Sequence, residues 1–350
     1  MTAAPVSPER ICLVRLSALG DVCLTVPLVR SLQRSFPKAQ ITWVTTAPML
    51  HLLEGLEGVE FVIVEKANPF AYVSFYRQMR GRKFDVLLAA QASFRAHFLY
   101  PAIRAPLKIG FHPDEARDSH RWFVNQHLPG KREHLLDSFL GFARALGAKP
   151  VLEWRLPITD ADNRFAEERL RSQPGAWIAL NPLASKPERN WVPKRYAAVI
   201  DACIERWNCN VVLTGGPGKV SASLGESLAC NASKPDRVLN LVGKTTPKQL
   251  AALLKRVKLL IAPDTGPVHI ATAVGTPVVG LYAVASSRLS GPYLSQHLVV
   301  DRYPDAVRAI LGKDPERVPW KTRVKSPRAM ELIAVDDVLA KVELVFKGEQ

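Results

Sequence analysis

No apolar run in the 350 residues reaches the roughly 18 that a membrane-spanning helix needs. The opening residues 1–10 lack the apolar core of a secretory signal. Cysteine is sparse: Cys12, Cys23, Cys203, Cys209 and Cys230 form no Cys-x-x-Cys pair and are odd in number. That argues against a disulfide framework or a zinc site and fits a reducing compartment, with the thiols acting as small apolar groups. The expectation is a cytoplasmic, globular protein. Nucleotide fingerprints are missing too. The first strand-to-helix loop holds one glycine, not the three of Gly-x-Gly-x-x-Gly, which disfavours a nicotinamide-dependent oxidoreductase. The run Gly215-Gly216-Pro217-Gly218-Lys219 fails as a P-loop, because the position that must be the first glycine is Leu213. No helix-turn-helix, zinc or RNP-type signature supports a nucleic-acid-binding protein.

What is present begins with charge. The formal net charge is +15, which points to an anionic partner: nucleic acid, a membrane surface or an anionic small molecule. The excess is concentrated, with 11 Lys+Arg against 4 Asp+Glu in residues 77–132 and a second basic stretch in 302–328. For any single cation, solvated surface is the simpler reading.

Short apolar runs alternate with amphipathic ones, the pattern of an α/β fold with parallel sheets. Strands are predicted at 11–16, 41–45, 61–64 and 86–89, and helices at 21–36 and 134–146. Residues 91–130, between them, are basic and weakly patterned. A polar helix at 160–172 marks a crossing. A second series follows, with strands at 177–180, 210–214, 238–241, 259–262 and 277–281 and helices at 193–206, 247–256 and 268–274. A last amphipathic helix, 335–346, is free to pack back across the junction. The division is therefore 1–158, 173–330 and a C-terminal 331–350. Two Rossmann-like series put ligands at the C-terminal strand ends, in a shared cleft.

Four loops stand at such ends. In the first, Arg15 to Val22, Asp21 at a helix start reads either as an N-cap or as a general base. In the loop after residue 262, Pro267 suits a first helical turn and Gly266 allows close backbone approach. The N–H groups of Thr265, Gly266 and Val268 would there face a diphosphate at a positive helix end. Asp264 suits sugar hydroxyls better than phosphate. In the loop 181–191, Ser185 can donate to a phosphate oxygen and Arg189 can do so with two N–H groups, while Trp191 anchors the next helix. Lys186 reads more simply as surface. In the fourth, Lys219 follows the glycine-rich turn and is a weak phosphate ligand.

Taken together, RLSALGDVCLTVP (15–27), NPLASKPERNW (181–191) and APDTGPVHIATAVGTPVVGLY (262–282) resemble the bacterial ADP-heptose:lipopolysaccharide heptosyltransferases, glycosyltransferase family 9, over nearly the whole chain. The Ser185 and Arg189 pattern looks closest to the heptosyltransferase I, OpsX-type branch. The resemblance implies a GT-B fold of two Rossmann-like domains facing a central cleft, the N-terminal one holding the acceptor and the C-terminal one the nucleotide sugar. It implies an inverting transfer of heptose from ADP-L-glycero-D-manno-heptose to a Kdo residue of Kdo-lipid A, phosphorylated in the OpsX-type branch. No cofactor or metal is required by it. Asp21 matches the family's proposed base, and Asp264, Thr265, Gly266 and His269 its donor motif. Arg189 stands where a Lys often contacts the diphosphate, and Ser185 where a Thr often stands. Lys219 and Thr245 lie near ribose-side and adenine-side positions. The basic segment then has a use: Arg77, Arg80, Arg95 and Arg121 are candidates for the anionic acceptor, and the enzyme is expected on the cytoplasmic face of the inner membrane. The nearest rival is another GT-B transferase with a different sugar nucleotide.

Overall fold

Runs of consecutive aliphatic residues suit strands covered on both faces, because only a parallel sheet flanked by helices buries every side chain of a strand. In the computed structural model, which describes residues 7–65, 70–116, 119–171 and 173–348, they form two such sheets. The chain divides into two compact units, Met1–Pro157 and Ile158–Gln350. Unit one contains β1 (Arg10–Val14), β2 (Gln40–Thr45), β3 (Val59–Ile63), β4 (Val86–Ala89), β5 (Leu107–Gly110) and β6 (Gln126–His127), all parallel, in the order β3-β2-β1-β4-β5-β6. Unit two contains β7 (Trp177–Leu180), β8 (Asn210–Leu213), β9 (Val238–Asn240), β10 (Leu260–Pro263), β11 (Val278–Tyr282) and β12 (Val300–Asp301), also parallel, in the order β12-β11-β10-β7-β8-β9. Each unit thus repeats one Rossmann-like topology, in which the strand order reverses between the first and fourth strands. Strands β5, β6 and β12 are additions to the sequence reading.

The central strands are sealed: Ile11, Cys12, Leu13 and Val14 are 0% exposed, as are Leu260, Ile261 and Ala262. Four of the five cysteines are buried, Cys230 alone among them being exposed. Burial pushes the Cys12 and Cys23 thiols far above their ordinary range, so they serve as apolar filling.

Helix Leu19–Ser35 buries its apolar stripe, Val22, Val26, Val29 and Leu32, and lies against helix Leu135–Ala145. It runs through Pro27, which has no N–H to offer the carbonyl one turn back. That carbonyl, Cys23 O, instead accepts the indole N–H of Trp154 at 3.1 Å. The same segment is tied down by Val151 N–H to Ser31 Oγ (2.9 Å) and Arg30 Nη2 to Arg155 O (3.0 Å). Residues 149–155 are therefore a strap on unit one.

The polar helix runs Asp160–Leu170, with Ser172 of the expected span outside the described residues. It belongs to unit two, where Arg256 donates to Glu167 (2.6 Å) and Asn163 (3.0 Å). The last helix runs Val335–Lys347. It lies on helix Pro193–Trp207 of its own unit, burying Val338, Leu339 and Val342 and stacking Phe346 on Trp207 at 5.1 Å. Its apolar stripe is satisfied there.

Candidate active site

In an open parallel sheet, the crevice beyond the carboxyl ends of the strands at the order reversal is where ligands bind. In unit one those strands are β1 and β4, and in unit two β7 and β10. Three of the four loops chosen from sequence leave from them, after β1, β7 and β10. The glycine-rich turn follows β8, and its Lys219 is exposed as the first residue of helix Lys219–Cys230.

Beyond β1 the chain places an arginine inside the protein. Arg15 is 7% exposed. Its carbonyl accepts from Trp43 Nε1 (3.2 Å), its Nη1 donates to Ala90 O beyond β4 (2.7 Å), and its guanidinium lies 5.1 Å from the centre of the Phe139 ring. The remaining Nη2 pairs with Asp21 Oδ2. Sequence reasoning missed this residue, although a cation closing an apolar strand was the available signal. Leu16 N–H donates to Gln91 Oε1 (3.2 Å), so the loop after β4 braces the loop after β1.

The helix begins at Leu19, two residues before the expected start, so Asp21 is not the N-cap. Ala18 holds that position and has no side-chain acceptor. Asp21 stands in the first turn, where the helix dipole favours an anion, and reaches back to Ala18 N–H at 3.4 Å. Both recorded contacts of its carboxylate fall on Oδ2. The side chain is 31% exposed, which leaves it accessible to a substrate hydroxyl.

In unit two the loop after β7 is held by its own amides. Asn181 Nδ2 donates to Leu183 O (2.8 Å), and Asn190 Oδ1 accepts from Ala184 N–H (2.8 Å). Trp191 is 2% exposed and donates to Ile333 O (3.1 Å), anchoring the helix that follows. Ser185 and Lys186 stand exposed on the loop, and Arg189 ends a 3₁₀ turn, Pro187–Arg189. Arg189 Nη1 lies 3.0 Å from Asp264 Oδ2 and 3.2 Å from Asp264 O, with the two side chains only 13% and 11% exposed. Two residues chosen separately from two loops are thus one ion pair across the order reversal. Strand β11 pairs with β10 as far as Pro263 and Leu281, and just beyond, burial, with Asp264 nearby, pushes the Tyr282 hydroxyl well above its ordinary range.

After β10, Thr265 is the N-cap of helix Gly266–Ala273, with Pro267 in its first turn. Here the structure changes one expectation. Val268 N–H, expected to face a ligand, donates to Thr265 O (3.2 Å) because the first turn closes tightly. The donors of this helix end are therefore Thr265 and Gly266. His269 is 5% exposed, on the buried side of the helix. Thr245 immediately precedes Thr246, which caps helix Pro247–Leu254.

The four candidate arginines lie on unit one. Arg77 is on helix Ala71–Met79 and Arg80 is its C-cap, Arg95 is on helix Phe94–His97, and Arg121 is on a 3₁₀ turn over Trp122. The first two segments touch through Tyr72 Oη, which donates to Arg95 O (3.4 Å). His97 Nδ1, 2.7 Å from Ser119 Oγ, links the third. Among the described residues no group of three or more His, Cys, Asp or Glu could hold a metal ion. No helix among them is long and apolar enough to cross a membrane.

Comparison with known proteins extends this geometry. The profile of glycosyltransferase family 9 (heptosyltransferase) matches residues 72–308. The chain is 32% identical over 342 residues to the lipopolysaccharide core heptosyltransferase OpsX of Haemophilus influenzae, which covers 96% of this chain and 97% of that protein. It is 26% identical to the lipopolysaccharide heptosyltransferase 3 of Escherichia coli, over 93% of this chain and 95% of the relative. Among solved structures, a family 9 glycosyl transferase from Veillonella parvula matches with a TM-score of 0.79 at 23% identity over 99% of both chains. The ADP-heptose lps heptosyltransferase II of E. coli matches with a TM-score of 0.73 at 20% identity, over 97% of this chain and 100% of that one. The expected GT-B architecture is borne out by these likenesses and by the two parallel six-stranded sheets. With a family profile across its middle two thirds and a 32% identical relative along 96% of its length, this protein belongs to glycosyltransferase family 9, the heptosyltransferases, and is a glycosyltransferase.

Proposed function

We propose that the protein transfers heptose from ADP-L-glycero-D-manno-heptose to a Kdo residue of the lipopolysaccharide inner core, with Kdo-lipid A, phosphorylated on Kdo, as acceptor. The observation that carries the reading is Asp21: a carboxylate at the order reversal of unit one, accessible to substrate, with one oxygen held by a buried arginine. The relatives named as lipopolysaccharide heptosyltransferases support the sugar and the acceptor class.

In this mechanism Asp21 takes a proton from the acceptor hydroxyl as that oxygen attacks the anomeric carbon. ADP leaves from the opposite face, so the configuration inverts in a single displacement. Charge developing on the diphosphate is met by Arg189, by the Ser185 hydroxyl and by the N–H groups of Thr265 and Gly266 at a positive helix end. Asp264 keeps Arg189 aimed and accepts from sugar hydroxyls. Arg77, Arg80, Arg95 and Arg121 take the carboxylate and phosphates of the acceptor. The scheme uses no metal or cofactor. The acceptor is a lipid of an anionic leaflet, so the enzyme works as a peripheral protein on the cytoplasmic face of the inner membrane.

The test is ADP release and product formation from ADP-heptose with two acceptors, phosphorylated mono-Kdo-lipid A and di-Kdo-lipid A. Transfer to the first alone supports the full reading. Transfer to neither moves the protein to another sugar nucleotide.

A further inference from the structure

Unit one presents a cluster of aromatic side chains to solvent. On helix Ala71–Met79 the core-facing residues are Ala71, Phe75 and Met79, yet Val73 is 49% and Tyr76 44% exposed on another face. Beside it, Phe94 is 68% and Phe98 50% exposed. These groups hold one another in place. The Phe94 and Phe98 rings meet edge to face at 5.0 Å, Phe98 lies 5.9 Å from Tyr72, and Tyr76 Oη donates to Phe98 O at 3.1 Å. Isolated exposed apolar residues need no account, but an ordered cluster of them marks an interaction surface.

The charge around the cluster says what the surface fits. Residues 71–98 contain Arg77, Arg80, Arg82, Lys83 and Arg95 against the single acid Asp85. Asp85 is engaged elsewhere, accepting the N–H groups of Glu9 and Arg10 at 2.8 Å each. Arg82 is paired with Glu60. Among the described residues Arg77, Arg80, Lys83 and Arg95 have no carboxylate at ion-pair distance. A second copy of this face would bring like charges together, whereas an anionic partner would not. Aromatic rings ringed by arginine are the composition favoured at the boundary between lipid headgroups and acyl chains.

The face is also close to the chemistry. Leu16, in the Asp21 loop, bonds to Gln91, and Gln91 Nε2 donates to Ser93 Oγ (3.3 Å), the N-cap of the helix carrying Phe94.

We propose that this face docks the enzyme on an anionic lipid bilayer. Tyr76, Phe94 and Phe98 enter the headgroup boundary, while Arg77, Arg80 and Arg95, until an acceptor takes them, meet the phosphates of other anionic headgroups. Neither contribution is strong alone; together they give reversible attachment. The proposal rests on reading the acceptor as a membrane lipid, and it assigns the surface that brings Asp21 to that membrane.

The experiment is co-sedimentation of the full chain with acceptor-free vesicles, either pure phosphatidylcholine or with about a third phosphatidylglycerol. The wild type is expected to bind the anionic vesicles only and to be released by salt. Phe94→Ser/Phe98→Ser, and separately Val73→Asp, are expected to lower the partition coefficient at least about tenfold. Heptose transfer to a de-acylated, water-soluble acceptor is expected to stay within about twofold of wild type in both. Vesicle binding reads docking alone and transfer to the soluble acceptor reads activity alone, so either idea can fail without the other. Three results overturn the docking: a wild type that ignores anionic vesicles, either variant binding them as well as wild type while folded, or size-exclusion showing that the variants split a wild-type oligomer.

Discussion

Replacing Asp21 with Asn separates the two things that Asp21 can do. The side chain keeps its shape and can still accept from Ala18 N–H, but it loses the charge that faces Arg15. Breaking a fully buried pair costs about 3–5 kcal/mol. Here the Arg15 side chain is 8% exposed but that of Asp21 is 31% exposed, and the amide oxygen still accepts a hydrogen bond, so about 1–2 kcal/mol is the appropriate scale. For a unit of this size that is a fall of roughly 2–8 °C in melting temperature. Even from a starting stability of about 5 kcal/mol, near the low end for domains, 3 kcal/mol remain and about 1% of the molecules are unfolded. Unfolding therefore removes almost none of the activity. Loss of a general base lowers kcat by about 10²–10⁴. The assay is ADP release at saturating donor and acceptor, with urea unfolding measured alongside. The reasoning is refuted if Asp21→Asn melts lower as expected yet keeps kcat within about threefold of wild type; Asp21 would then be only the partner of Arg15 at a helix end.

Arg15→Met removes the clamp but leaves the carboxylate, so kcat should fall by about tenfold with little change in donor KM, as steady-state kinetics would show. An equal loss in KM alone would give Arg15 a binding role. Asp264→Asn frees Arg189 from its partner, and calorimetric ADP affinity should fall by about tenfold; unchanged affinity would detach the pair from the donor site. Burial and the neighbouring His97 and His127 push His120 down to about 4, against the usual 6.5. The unfolded chain therefore takes up the proton first, and unit one should lose about 3 kcal/mol as pH falls from about 6.5 to 4, seen in urea titrations. His120→Leu should flatten that dependence, and an unchanged slope would assign it to other groups. Trp154→Phe removes the indole N–H that Cys23 O accepts and should cost unit one about 1–2 kcal/mol by the same method.

Much of the fold was legible because its central strands are nearly pure aliphatic runs, such as Arg10–Val14 and Leu260–Pro263. Strands β5, β6 and β12 were not. Gln126–His127 is polar and exposed, and it is a strand only because Ile109 and Gly110 pair with it. The helix start at Leu19 was hidden because its cap is an alanine, and the tight turn at Val268 left no mark in the sequence. The loops of the site were visible as strand-to-helix connections with unusual residues. Their interactions were not, because the partners are distant in sequence. Arg15 depends on Ala90, and Arg189 on Asp264, each 75 positions away. Pairing of that kind is a property of strand order, which no local pattern records.

The strap of residues 149–155 decides where this enzyme can be cut. A boundary drawn at the end of helix Leu135–Ala145 would look natural, but a fragment ending there leaves the carbonyl above Pro27 without the Trp154 indole. A self-sufficient first half must run through Arg155, and a second half can begin at Thr159, whose side chain caps its own helix. Only residues 156–158 lie between those fixed points. Limited proteolysis and split-protein designs should therefore succeed in that short stretch. A Pro27→Ala exchange, by offering the Cys23 carbonyl an N–H of its own helix, would loosen the hold of Trp154 on a carbonyl 131 residues away.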